Sequence, residues 1–200
     1  EQDQLRPRLL PGTQGAFQPF FSPDGERIGF IAAHAGRARA LLTVSPEGGL
    51  PVMLADSLLR REGGSWSKDG FIFLGTAGGW IGKVSAETGG ALTQVTTVAE
   101  GETNHAWPHV LPNSRGIVFT VFHTDNFAYT DATIAVADLT TGEHRDLLRG
   151  AMAWYAASGH LVILSHDGTL SAVAFDQKKL EIIGEPVPLA GKVTLGSQDA

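Results

Sequence analysis

A chain of 200 residues with 42% hydrophobic content can bury a substantial core, while 25 glycines and 10 prolines leave little room for long helices. A formal net charge of −6, with no basic run longer than the pair Arg60-Arg61, excludes the phosphate-tracking stripe that nucleic-acid binding requires. The absence of cysteine excludes disulfides, thiolate catalysis and Cys-ligated metals, and no apolar run approaches the ~20 residues of a membrane-spanning helix.

The opening EQDQLRPRLL has neither the basic n-region nor the apolar h-region of a signal peptide, and it lacks an initiating Met. The chain is therefore expected to be a mature form or a piece of something longer, with any targeting or membrane segment outside it. Residues 5–13 read as an orphan outer strand. The first distinctive text follows in PFFSPDGERIGF, where Ser22-Pro23-Asp24-Gly25 separates two aromatic and aliphatic runs. Pro pre-sets a negative φ, Asp bonds its own backbone and Gly accepts positive φ, so the tetrapeptide predicts a hairpin turn.

That turn recurs. Asp24 is followed 45 residues on by Asp69 in WSKDG, then 44 on by Asn113 in VLPNS, then 45 on by Ser158 in YAASG. Each repeat predicts strands in the same order. An apolar or aromatic residue precedes the turn (Phe21, Trp66, Val110, Tyr155), and a β-rich triplet follows it (IGF, FIF, IVF, LVI). Third strands are expected in ALLTV, WIGKV, ATIAV and LSAVAF, closed in three units by Gly-containing turns, and fourth strands in LPVML, ALTQV, HRDLL and EPVPL. Pro51, Pro186 and Pro188 suit an outer edge strand, where a missing N–H donor costs little. A period in the mid-forties with strand-like text is that of a propeller blade.

The reading is thus all-β, a β-propeller segment of about four four-stranded antiparallel blades, with units near 14–57, 58–99, 103–149 and 150–191 in a single domain of residues 1–200. Residues 1–13 and 192–200 are expected to be partial units, so the ring is expected to be incomplete, with exposed blade edges that invite association. A compact four-bladed ring is the alternative.

FFSPDGERIGF and WSKDGFIF resemble the Ser-Pro-Asp-Gly blade motif of TolB-like propellers, which are similar to WD repeats. The set formed by these with HAWPHVLPNSRGIVFT, SGHLVIL and LSAVAFD resembles the propeller C-terminal to the kinase domain in some bacterial eukaryotic-like serine/threonine kinases. Asn113-Ser114 and Ser158-Gly159 depart from Asp-Gly in units three and four. The resemblance implies a non-catalytic binding or sensing module in the extracytoplasmic part of a bacterial signalling protein, taking a protein or small-molecule partner. It leaves two alternatives: an envelope assembly element resembling TolB, and a propeller lid of a serine hydrolase whose catalytic domain lies elsewhere.

Motif inspection agrees with the non-enzyme expectation, since GGSWSKDG lacks the second Gly of a nucleophile elbow and leads into a strand, and no kinase signature is present. No cofactor is implied. The remaining constellation is NHAWPHV, predicted as the innermost strand of unit three. On a regular strand His105, Trp107 and His109 share one face, making them the candidate binding residues, together with the 123–133 loop. No metal site is expected, because two imidazoles lack the third ligand that zinc requires. Asp24 and Asp69 read as turn-formers, and Phe21, Trp66 and Tyr155 as blade-to-blade core.

Overall fold

The computed structural model describes residues 8–33, 39–58, 63–124 and 129–193. These fold into four four-stranded antiparallel sheets, each a meander whose spatial order follows the chain. The first contains β1 (Phe17–Phe21), β2 (Ile28–Ala33), β3 (Arg39–Val44) and β4 (Val52–Leu58), and the second β5 (Gly64–Trp66), β6 (Phe71–Gly75), β7 (Ile81–Ser85) and β8 (Thr93–Gln94). The third contains β9 (Asn104–Val110), β10 (Gly116–Phe122), β11 (Thr133–Asp138) and β12 (His144–Arg149), and the fourth β13 (Met152–Ala156), β14 (His160–Leu164), β15 (Thr169–Asp176) and β16 (Glu181–Lys192). The only helical turn among the described residues is Tyr129–Asp131. Four successive meanders stacked face to face are a partial β-propeller.

The repeated turn closes the first hairpin of every blade. In blade one, Ser22 Oγ accepts from the Arg27 N–H (2.9 Å) and donates to Asp24, while Asp24 Oδ1 accepts from the Glu26 N–H (3.0 Å). Ser67 repeats the first bond with Phe71 N–H (3.1 Å). Where the sequence departs from Asp-Gly in blade three, the geometry persists. Asn113 Oδ1 accepts from the Arg115 N–H (3.0 Å), and Ser114 takes the left-handed conformation (φ 52°) that Gly25, Gly70 and Gly159 adopt in the other three turns.

Strand alternation sends successive residues of each sheet to opposite neighbours. Between blades one and two, Ile31, Leu41 and Ala55 meet Ile72, Leu74 and Val84. The next residue of β6, Phe73, faces the other way and joins Ile81 against Ile117, Phe119, Val121 and Ala135 of blade three. Val118, Ile134 and Val136 then meet Leu161, Ile163, Val173 and Phe175 of blade four. Every substantial strand packing between sheets joins consecutive blades.

The ends differ from expectation. Residues 8–13 carry no strand, only a turn at 11–12, and Leu10 packs against Phe30 and Leu42 on the free side of blade one. Residues 5–7 and 194–200 lie outside the described residues, so the expected orphan strand is not found in its described part. Lys192 ends β16 rather than opening a new unit. β8 is only two residues long, because the chain leaves it early for the 95–103 crossing to blade three.

Candidate functional site

The innermost strands β1, β5, β9 and β13 converge on one cavity of about 460 Å³. Its wall includes Phe20, Trp66, Trp107, His109, Met152 and Trp154, so each blade contributes an apolar or aromatic side chain. Phe20 and Trp66 meet edge to face with ring centroids 6.4 Å apart. The Phe20 ring reaches this position because Gly29 and Gly64 flank it, and a Cβ at either would overlap the ring.

A backbone feature repeats along the same wall. Gln18, Gly63 and Trp107, spaced by 45 and 44 residues, all have positive φ (50°, 76° and 53°) at the same blade position. At Gln18 and Trp107 the register with the second strand shifts, the mark of a β-bulge. Gln18 Oε1 accepts from the Gly63 N–H (2.9 Å), and a Cβ on Gly63 would press on Trp107. The three positive-φ positions thus stack against one another from blade to blade. A left-handed backbone at a residue as bulky as Trp is strained and persists only where surrounding packing dictates it. Further along the strands, Ser65 Oγ accepts from the Val110 N–H (3.0 Å), a second bond across 45 residues.

The bulge separates the three residues that strand periodicity places on one face. Trp107 and His109 line the cavity, and burial lowers the His109 pKa against the opposing effect of its hydrogen bond with the Tyr155 backbone. His105 does not reach the cavity. It is fully buried in the seam between blades two and three, its ring 4.9 Å from that of Phe119.

There His105 has partners that the sequence did not bring to notice. Glu102 Oε2 accepts from its Nε2 (2.9 Å), Glu102 Oε1 lies 2.9 Å from His144 Nε2, and Thr96 Oγ1 lies 2.7 Å from His105 Nδ1. With Nε2 donating to the Glu102 carboxylate, Nδ1 accepts from the Thr96 hydroxyl, whose oxygen also accepts from the Ile81 N–H (2.9 Å). Burial lowers the His105 pKa against the opposing effect of Glu102. Burial alone pushes the Glu102 carboxyl upward, but hydrogen bonds from the Ala99 N–H and the two imidazoles hold it below the usual carboxylate range. Of the proposed 123–133 loop, residues 125–128 lie outside the described residues, and His123 bonds Gly101 O and Thr133 Oγ1.

No protein-family model matches the sequence, and no curated protein matches it. Solved structures do match. TolB from Acinetobacter baumannii aligns with 89% of this chain and 44% of its own at 15% identity and a TM-score of 0.67. An oligogalacturonate lyase aligns with 78% of this chain and 48% of its own (15% identity, TM-score 0.59), and puromycin hydrolase with 88% and 29% (20% identity, TM-score 0.57). The chain spans less than half the length of each. The comparison corrects the expectation that the chain is not an enzyme. Propellers of this architecture occur in a lyase and a hydrolase, because a propeller is a scaffold that hosts unrelated sites, and missing nucleophile and kinase motifs do not remove a chain from that company. The fold of this chain is that of the TolB-type β-propellers.

Proposed function

We propose that this propeller segment is a binding module that takes a partner peptide or small ligand on the central wall formed by its four innermost strands. One observation carries the reading: all four blades deliver aromatic or apolar groups to one cavity of about 460 Å³, within the size range of ligand sites. Trp107 and Trp154 supply large faces with one N–H donor each, and His109 supplies a polar ring that can donate or accept a hydrogen bond. The resemblance of the blade motifs to kinase-linked propellers supports a sensor role in an extracytoplasmic part of a bacterial signalling protein. Likeness to TolB supports a second reading, an envelope assembly element, which the exposed apolar row on blade four described below also favours.

The test uses the purified chain, immobilised and panned against a phage-displayed dodecapeptide library. Trp154, 40% exposed, is the anchor to remove. Selected peptides are expected to bind Trp154→Ala about 10-fold more weakly, as loss of an aromatic anchor does, with an unchanged melting temperature. Peptides that bind this variant and Trp107→Ala as well as the parent would place binding elsewhere and retire the cavity reading. Sequencing the parent gene on both sides separates the roles: a kinase domain and membrane span supports the sensor, whereas a hydrolase domain supports a lid.

A further inference from the structure

The seam between blades two and three contains a second constellation, separate from the central cavity. Glu102 lies in the crossing that enters blade three, His105 on that blade's innermost strand and His144 on its outermost strand. One ligand atom from each lies within 4.8 Å of the others. We propose that Glu102, His105 and His144 form a binding site for a divalent transition-metal ion of the zinc class, with a further coordination position open to solvent.

Three observations converge on this assignment. The donor set is the first. Two imidazoles and one carboxylate suit zinc, cobalt or nickel, whereas magnesium and calcium select all-oxygen shells. Geometry is the second. Around a tetrahedral ion with bonds of roughly 2.0–2.2 Å, donor atoms lie about 3.4 Å apart. Both imidazole Nε2 atoms are already 2.9 Å from the Glu102 carboxylate, and one ligand atom from each of the three residues lies within 4.8 Å of the others, so an ion is accommodated by small side-chain movements. The third is the support behind His105. A ligating imidazole normally donates its other ring N–H to a fixed acceptor. Fully buried Thr96 stands 2.7 Å from Nδ1, and its oxygen is held by the Ile81 N–H. With an ion bound, the His105 hydrogen would move from Nε2 to Nδ1 and the Thr96 hydroxyl would turn its own hydrogen away, so that its oxygen accepts from Nδ1–H and Nε2 is freed for the ion.

Access is uneven in a useful way. The His105 side chain is fully buried, while Glu102 and His144 retain 10% and 13% exposure, so an ion enters from the His144 side and keeps solvent in its open position. Bound there, it would tie the entering crossing to the far edge of the same blade.

The test uses the whole chain without an affinity tag, stripped by chelator and titrated calorimetrically with zinc chloride. One saturable equivalent is expected, with no comparable heat from magnesium. His144→Ala is expected to weaken zinc binding at least about 100-fold, and Thr96→Val about 10- to 100-fold, the usual loss when the group behind a ligating histidine is removed. His160→Ala, which removes a ring bonded to its own turn at Ser158, is expected to bind as the parent does. Cobalt added to the unmodified chain is expected to give visible absorption of the intensity typical of four- or five-coordinate sites, a readout independent of how any variant folds. Absence of saturable zinc binding, an affinity unchanged in a folded His144→Ala variant, or cobalt spectra indistinguishable from the hydrated ion would each overturn the proposal.

Discussion

Blade three and blade four are built from the same kind of strand, yet among the described residues one has neighbours on both sides and the other on one. In β10, Ile117, Phe119 and Val121 face blade two while Val118 faces blade four, and all are buried. In β14, Leu161 and Ile163 meet blade three, but the opposite face carries the cross-strand row Trp154, Val162, Ala172 and Val187, with Trp154 at 40% and Val187 at 64% exposure. Alternation alone therefore does not say which residues are core. A blade presents two apolar faces, and the neighbour decides which is dry.

The largest break in this comparison is at Phe119. It is 2% exposed in the seam between blades two and three, and Phe119→Ala is expected to destabilise by roughly 3–5 kcal/mol in urea unfolding. Trp154→Ala removes a larger side chain from the open face and is expected to cost under about 1 kcal/mol, since that face has little packing to lose. Equal losses at the two positions would mean that the open face is covered in solution.

The comparison sharpens at the turns. Ser114 adopts at φ 52° the conformation that glycine holds in the other three blades, so Ser114→Gly is expected to stabilise by about 0.5–1 kcal/mol, read as a raised melting temperature. Gly159→Ala in blade four, at φ 83°, is expected to move stability the other way by a similar amount.

The smallest effect is electrostatic. The Asp138 carboxyl is depressed to about 2, first by its hydrogen bonds from Arg115 and then by the Thr140 N–H. A depressed carboxyl adds stability above its ordinary value of 3.8, and that contribution is lost as pH falls through about 2. Arg115→Ala is expected to return the Asp138 titration, followed by NMR, toward 3.8, with little change in stability near pH 7, because exposed pairs contribute little.

The sixteen strands were largely legible because their cues are local. A Pro-Asp-Gly turn, a β-rich triplet and a mid-forties period each act within one unit, and even Asn113-Ser114 preserves the turn that its letters obscure. The candidate sites were legible only in part. Trp107 and His109 do reach the cavity, but the bulge that separates them from His105 arises where a bulky residue holds positive φ, a conformation no composition rule anticipates. Glu102 stands three residues before His105 and was within reach of a local reading. His144 was not, because only the pairing of β11 with β12 brings it beneath Phe119 and His105.

The self-closing turns also bear on how the chain acquires its shape. Each first hairpin is fastened by bonds spanning only a few residues, such as Arg27 N–H to Ser22 Oγ and Phe71 N–H to Ser67 Oγ, so its loop-closure entropy is small and it can form before any neighbour exists. The seams instead join residues about 45 apart, and every substantial packing between sheets is between consecutive blades. Emerging from a ribosome, such a chain can complete one blade, offer its dry face, and wait only for the next 45 residues rather than for the whole sequence. A propeller sealed by its two ends must hold its last decision until synthesis is over, and this segment makes its decisions in order.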